Sequence, residues 1–220
     1  MFLRVDSRVE DRFPGIRALQ VRMEGIRVEE KHPGVERLKE ETVQRIRGKY
    51  LLDSLKEVKA VRAYRDFMWK LGIDPTKIRP SAEALVRRIL LGKPFPTINT
   101  QVDVYHVDSV LLLVSIGAFD LDRLEGELLL RFAGEGEEFL GIGMEEPLRL
   151  RGGEVVVSDG RKLIAIYPYR DSELTKVTER TRRVLFLLCG VPGVEVETLR
   201  EAGERLKEYV GTLCGGKPVG

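Results

Sequence analysis

Val155-Val156-Val157-Ser158-Asp159-Gly160-Arg161-Lys162-Leu163-Ile164-Ala165-Ile166-Tyr167 sets an Asp-Gly pair between two apolar runs. Asp-Gly supplies the left-handed backbone that a tight hairpin demands, so the runs read as antiparallel strands. Residues 128–132, 148–150 and 184–188 carry the same strand-like apolar density, with glycine pairs among them. The first half of the chain differs. Val35, Leu38, Val43 and Ile46 approximate helical spacing. Val58, Val61, Tyr64, Phe67 and Met68 indicate a second helix that stops near Leu71-Gly72. Ser81 reads as the N-cap of a helix over 82–91, which Gly92, Pro94 and Pro96 end. Further helices are expected over 102–114 and 194–210, and short strands around the turn at Phe13-Pro14-Gly15. The predicted class is α+β, a helical N-terminal half packed on an antiparallel-rich sheet.

At 220 residues and 43% hydrophobic content the chain suits one domain with a real core. No apolar run reaches the roughly 18 residues needed to span a bilayer, and Met1-Phe2-Leu3-Arg4 does not open a signal peptide. Cys189 and Cys214 are expected to be free thiols, and a cytoplasmic location follows. Charge is uneven. Residues 1–80 hold 19 Lys+Arg against 13 Asp+Glu, residues 81–160 hold 7 against 14, and residues 161–220 hold 11 against 8. Net charges of +6, −7 and +3 exclude an evenly basic nucleic-acid coat but leave basic ends that can meet RNA locally. Asn99 is the single asparagine, and there are three glutamines, amid 33% charged residues. That is the composition of a thermophile, in which a lone amide needs a reason.

Familiar catalytic signatures are absent. Gly211 to Lys217 imitates a phosphate loop, but Pro218 replaces the hydroxyl residue and no helix is expected to follow. His32, His106, Cys189 and Cys214 are too scattered for a zinc site, so no metal and no cofactor is expected. Two stretches carry more. Arg79 to Asp120 contains Arg87-Arg88, then Asn99, Gln101, Asp103, His106 and Asp108. A helix from 102 gathers an amide, a carboxylate and an imidazole near one end; equally, Asn99 or Thr100 caps that helix and His106 is a bystander. Tyr167 to Arg183 is dense in hydroxyls and charges, with Lys176, Arg180, Arg182 and Arg183 close behind an acidic cluster. Such a loop displays ligand-binding groups or protects a strand edge.

On these stretches the sequence resembles a known family. Arg79-Pro-Ser-Ala-Glu-Ala-Leu-Val-Arg87-Arg88, Asn99-Thr-Gln-Val-Asp103-Val, Ile116-Gly-Ala-Phe-Asp120 and Arg170-Asp-Ser-Glu-Leu-Thr-Lys-Val-Thr-Glu-Arg-Thr-Arg182 resemble the B3/B4 tRNA-binding (editing) domain of the phenylalanyl-tRNA synthetase beta subunit and its stand-alone relatives. The resemblance covers roughly 60–215. It implies an α+β module with a cavity between the Asn99 segment and the 170–175 loop. The synthetase version hydrolyses tyrosine wrongly attached to phenylalanine tRNA. Carried onto this chain, it implies Asn99, His106 and Glu173 as site positions; the reading built on it takes Asn99 and His106 as catalytic, Glu173 with Asp171, Ser172 and Thr175 as substrate-binding, and Arg87, Arg88, Lys176 and Arg180 as holding tRNA. Asp171-Ser172 stands where the synthetase loop has a glycine pair, which bears on amino-acid specificity.

The implied function is a trans-acting aminoacyl-tRNA deacylase that binds the charged 3′ end. Positioned water hydrolyses the ester, with backbone N–H groups on the oxyanion. A non-catalytic tRNA or amino-acid binding module, and a small-molecule hydrolase using the same cavity, remain open. Synthetase activity and a membrane partner are not expected. The domain reading is a basic N-terminal region over 1–58, strands plus a helix packed on the main domain, then the B3/B4-like domain over 59–215 and a frayed tail over 216–220.

Overall fold

Residues 184–190 are buried on both sides of a strand, and the architecture accounts for it. In the computed structural model, which describes residues 1–219, this strand lies inside a sheet covered on both faces. The elements run β1 (Arg4–Val5), α1 (Ser7–Arg12), β2 (Arg17–Glu24), α2 (Pro33–Lys49), α3 (Lys59–Lys70), α4 (Ser81–Leu90), α5 (Thr100–Leu112) and β3 (Ser115–Asp120). Then come β4 (Leu129–Phe132), β5 (Glu138–Phe139), β6 (Leu148–Arg149), β7 (Val155–Ser158), β8 (Leu163–Ile166), β9 (Arg170–Asp171), β10 (Arg183–Gly190), α6 (Val196–Leu213) and β11 (Lys217–Val219). One sheet has the order β11-β2-β10-β3, antiparallel throughout. A second has the order β1-β4-β7-β8-β9, antiparallel except for the β1–β4 pair.

Alternation along β10 explains the layering. Leu185, Leu187 and Cys189 share a core with Leu130, Val155, Val157 and Ile164 of the second sheet. Val184, Phe186 and Leu188 face the other way, into a core with Val104 of α5 and Leu199, Ala202, Leu206 and Val210 of α6. The order of layers is therefore helices, first sheet, second sheet. A third core joins α2, α4 and α5 through Ile46, Val86, Ile89, Val107 and Val110. Helix α5 is central, packing against α2, α4, α6 and β3. It ends at Leu113, held in the left-handed region at φ 57°, and turns at once into β3. The Ser109 hydroxyl, 2.6 Å from the Val114 carbonyl, secures that turn.

The 155–167 hairpin forms as β7 and β8. The expected helices form with ends shifted by a few residues: 82–91 becomes Ser81–Leu90 and 102–114 becomes Thr100–Leu112. Pro80, not Ser81, occupies the N-cap of α4. Two expectations fail. Before Phe13 the chain forms helix α1, because Asp6 caps it by accepting from Arg8 N–H at 3.0 Å. The C-terminal segment is not frayed through 217–219, where β11 pairs with β2. Strand β2 lies between β11 and β10, so residues 1–58 supply an inner strand of the main sheet.

Candidate functional site

Four elements enclose a cavity of about 130 Å³. Ser81 and Leu85 of α4 and Tyr105, His106 and Ser109 of α5 line one side. Gly117 and Phe119 of β3 line the floor, with Cys189 of β10. The β8–β9 turn, from Tyr167 to Asp171, closes the other side. An apolar cavity of about 150 Å³ holds benzene, so this one admits a single small ring or aliphatic group.

Its walls are fixed by buried tyrosines. The Tyr64 hydroxyl donates to the Cys189 carbonyl and accepts from Ser115 N–H at 3.2 Å. The Tyr167 hydroxyl lies 3.0 Å from the Arg17 carbonyl and 2.9 Å from that of Gly190. Together they tie the cavity wall to β2, β3 and β10. Tyr105 and His106 meet edge to face at 4.7 Å.

An imidazole, a carboxyl and a thiol stand in this setting. His106 has an enclosed Nδ1 without a hydrogen-bond partner. Burial, helped by the charge of Lys39, brings its pKa down to about 4, so the imidazole is neutral near pH 7. It can orient a water but is a weak base. Burial pushes Asp171 up to about 7, opposed only by the Ala118 N–H, 3.4 Å from Oδ2. Gly117 makes this placement possible: a Cβ there would lie 2.8 Å from Oδ1 and 3.0 Å from Oδ2 of Asp171. The Cys189 thiol is held well above its ordinary value by burial, so it stays protonated and unreactive.

Of the catalytic, substrate-binding and tRNA-binding candidates named from the sequence, His106 and Asp171 line the cavity and the others lie outside its walls. Asn99 caps α5, its Oδ1 accepting from Val102 N–H at 2.9 Å. It sits seven residues, roughly 10 Å, along the helix from His106. The amino end of α5 is largely occupied too. Thr100 N–H donates to the Glu29 carbonyl and Asp103 N–H to that of Asn99, so this end offers few donors to an oxyanion. Ser172 Oγ bonds the Leu140 carbonyl at 3.2 Å and caps the next turn. Glu173 pairs with Lys176, which holds its carboxyl below the usual range. Thr175 is buried in that same turn. Arg88 follows Ser81 and Leu85 along one stripe of α4, but its Nε donates to the Pro94 carbonyl at 2.6 Å; Arg87 is its half-buried neighbour. Arg180 lines a second, open groove of about 430 Å³ with Asn99, Arg123, Thr178 and Glu179. Sequence reasoning missed Tyr105, Ser109, Gly117, Tyr167 and Cys189. Tyr167 reads as the end of a strand, and only the packing of two sheets reveals the wall.

Among the described residues no group of three His, Cys, Asp or Glu side chains is placed to hold a metal ion. No helix among them is long and apolar enough to cross a membrane.

The B3/4 domain family matches residues 63–215. Two curated relatives are both phenylalanine–tRNA ligase beta subunits. That of Oleidesulfovibrio alaskensis is 33% identical over 110 residues, 50% of this chain and 13% of the relative. That of Mycoplasma genitalium is 26% identical over 120 residues, 54% of this chain and 14% of the relative. The matched segment is thus a small fraction of either relative's length. Among solved structures, an N-terminal fragment of the phenylalanyl-tRNA synthetase beta subunit from Pyrococcus horikoshii matches with a TM-score of 0.53 at 16% identity. That match covers 98% of this chain and 49% of the fragment, and it is a likeness of fold.

Proposed function

Since the chain belongs to the B3/4 domain family, we propose that it binds the aminoacylated 3′ end of tRNA and acts in trans as an editing deacylase. The observation that carries this reading is the small aromatic-lined cavity, which lies within the family-matched residues and holds both His106 and Asp171. A cavity of about 130 Å³ is the size of one amino-acid side chain and too small for a nucleoside. The aminoacyl group enters; the ribose and the rest of the tRNA stay outside.

An aminoacyl ester is activated, so positioning contributes most of the required acceleration. Water attacks the ester carbonyl carbon, the bond to the ribose oxygen breaks, and the proton from water passes to that leaving oxygen. The products are a free amino acid and an uncharged 3′ end. Neutral His106 orients the water. Arg180, Arg123 and the Asn99 amide, in the open groove, meet the RNA backbone. Arg87, Arg88 and Lys176 add positive charge outside the cavity. Their affinity falls with salt, as for any phosphate contact.

The test is release of labelled amino acid from a panel of correctly and incorrectly charged tRNAs. We expect one or a few substrates to be deacylated, with the rate reduced at least tenfold by His106→Ala. The low pKa of His106 favours one competing reading, a module that binds the charged end without chemistry. Salt-dependent tRNA binding with no release above buffer from any member of the panel selects that module and removes the enzyme.

A further inference from the structure

Acidic side chains buried elsewhere in this protein have a cation beside them. Asp103 faces Lys39 at 2.9 Å, Glu83 faces Arg65 at 2.9 Å, Asp108 faces Arg205 at 2.7 Å and Asp159 faces Lys162 at 2.8 Å. Asp120, the fifth, has Arg123 at 3.8 Å and the Thr181 hydroxyl at 2.7 Å. This is the ordinary condition of a carboxylate shielded from water. Asp171, half-buried where it borders the cavity, has no such partner. Its one donor is the Ala118 N–H at 3.4 Å, and no basic side chain among the described residues pairs with it. Its carboxyl lies against the bare Cα of Gly117 and borders the cavity.

We propose that Asp171 is the receptor for a ligand ammonium group, the free α-amino group of the aminoacyl moiety, and that the site therefore selects substrates whose amino group is unblocked. This rests on the reading of the cavity as an aminoacyl site. Three observations select an ammonium over other occupants. A hydroxyl would satisfy one oxygen but leave the charge uncompensated. A divalent metal needs several oxygen ligands, and no group of three candidate ligands occurs among the described residues. Tyr105, Phe119 and Tyr167 line the same cavity, and aromatic rings attract a cation. Acylation of the amino group removes its charge and enlarges it, so both terms then act against binding.

Small carboxamides test this without tRNA. The carboxamides of alanine, valine, leucine and phenylalanine keep the neutral carbonyl of the ester and lack a competing carboxylate. Each is titrated into the whole protein, followed by NMR or calorimetry, beside its N-acetyl counterpart. At least one free carboxamide binds, and acetylation weakens it at least tenfold, about 1.4 kcal/mol. Asp171→Asn, which keeps the side chain's shape, abolishes that difference while thermal unfolding shows the variant folded. Equal binding of free and acetylated forms, a preference that survives Asp171→Asn, or no binding by any free carboxamide overturns the inference. The two proposals fail separately. Amine-selective binding without release from any charged tRNA removes the deacylase and keeps the receptor. Equal release from acetylated and free aminoacyl-tRNA keeps the deacylase and removes the receptor.

Discussion

Replacing Asp171 by asparagine should stabilise the protein at neutral pH while removing ligand binding. The carboxyl has a pKa of about 7 in the fold against an ordinary 3.8, because burial disfavours its charge. A raised acid contributes stability that is fully present below pH 3.8 and is lost as pH rises to about 7. A shift of about 3 units corresponds to an upper limit of ~4 kcal/mol at 1.36 kcal/mol per unit. Solvent reaches the cleft, so ~2 kcal/mol is the realistic gain for asparagine at pH 8. The amide oxygen can still accept from Ala118 N–H. His106 acts in the opposite sense. Its pKa of about 4 lies below the ordinary 6.5, so its contribution is present above 6.5 and is lost as pH falls toward 4. In the wild type the two slopes oppose each other. In the asparagine variant the rising slope of His106 remains, opposed below about pH 6 by Asp108, whose carboxyl burial also raises to about 6. Urea unfolding of both proteins at pH 4, 5, 6, 7 and 8 separates them: the difference should be near zero at pH 4 and grow to pH 8. A difference that stays constant across the series would show that Asp171 ionises normally, and the argument for an uncompensated carboxylate would fall.

Other perturbations test separate parts. Lys39→Met strands the buried Asp103 carboxylate, which also accepts from Ile98 N–H at 2.9 Å, and should cost about 3–5 kcal/mol in urea unfolding; a loss under 1 kcal/mol would mean that water compensates the acid. Asn99→Ala removes the cap of α5 and should cost about 1 kcal/mol, whereas Asn99→Ser should be nearly neutral; loss of deacylation in the serine variant at intact stability would give Asn99 a role beyond capping. Arg180→Ala should weaken tRNA binding uniformly and reduce the slope of log affinity against log salt by roughly one; an unchanged slope excludes the groove as an RNA contact.

Local signals determined which parts of this fold could be read from sequence. The hairpin forms where Asp159-Gly160 and its flanking apolar runs predict it, but Gly160 is not in the left-handed region; its N–H donates to the Glu125 carbonyl and Asp159 accepts from Glu125 N–H, so the turn is also held from outside the hairpin. Helices α2 to α6 announce themselves by spacing and by the glycines and prolines at their ends. Helix α1 escaped because six residues give too little periodicity, and Asp6 acts through one hydrogen bond. Strand β11 escaped because Gly215-Gly216-Lys217-Pro218 has no strand propensity, and only the open edge of β2 extends it. The site was legible in part for the same reason. His106 and Asp171 are chemically conspicuous in any context, whereas the significance of Gly117 depends on a carboxylate 54 residues away meeting its bare Cα. Asn99 attracted attention by rarity, a property of composition that geometry traces to a helix cap.

The pairing of β2 with β10 has a consequence for how the chain reaches this structure. Arg17 faces Gly190 and Glu24 faces Arg183, so the longest ladder in the protein joins segments about 160 residues apart. Contacts so distant in sequence slow folding, because a long loop must close before they return any stabilisation. During synthesis the apolar face of β2, with Leu19, Val21 and Met23, leaves the ribosome long before its partner exists. Until residue 190 follows, those side chains have no sheet to enter. Truncation within β10 should therefore yield an aggregating chain, and refolding from urea should be slow and limited by closure of this ladder.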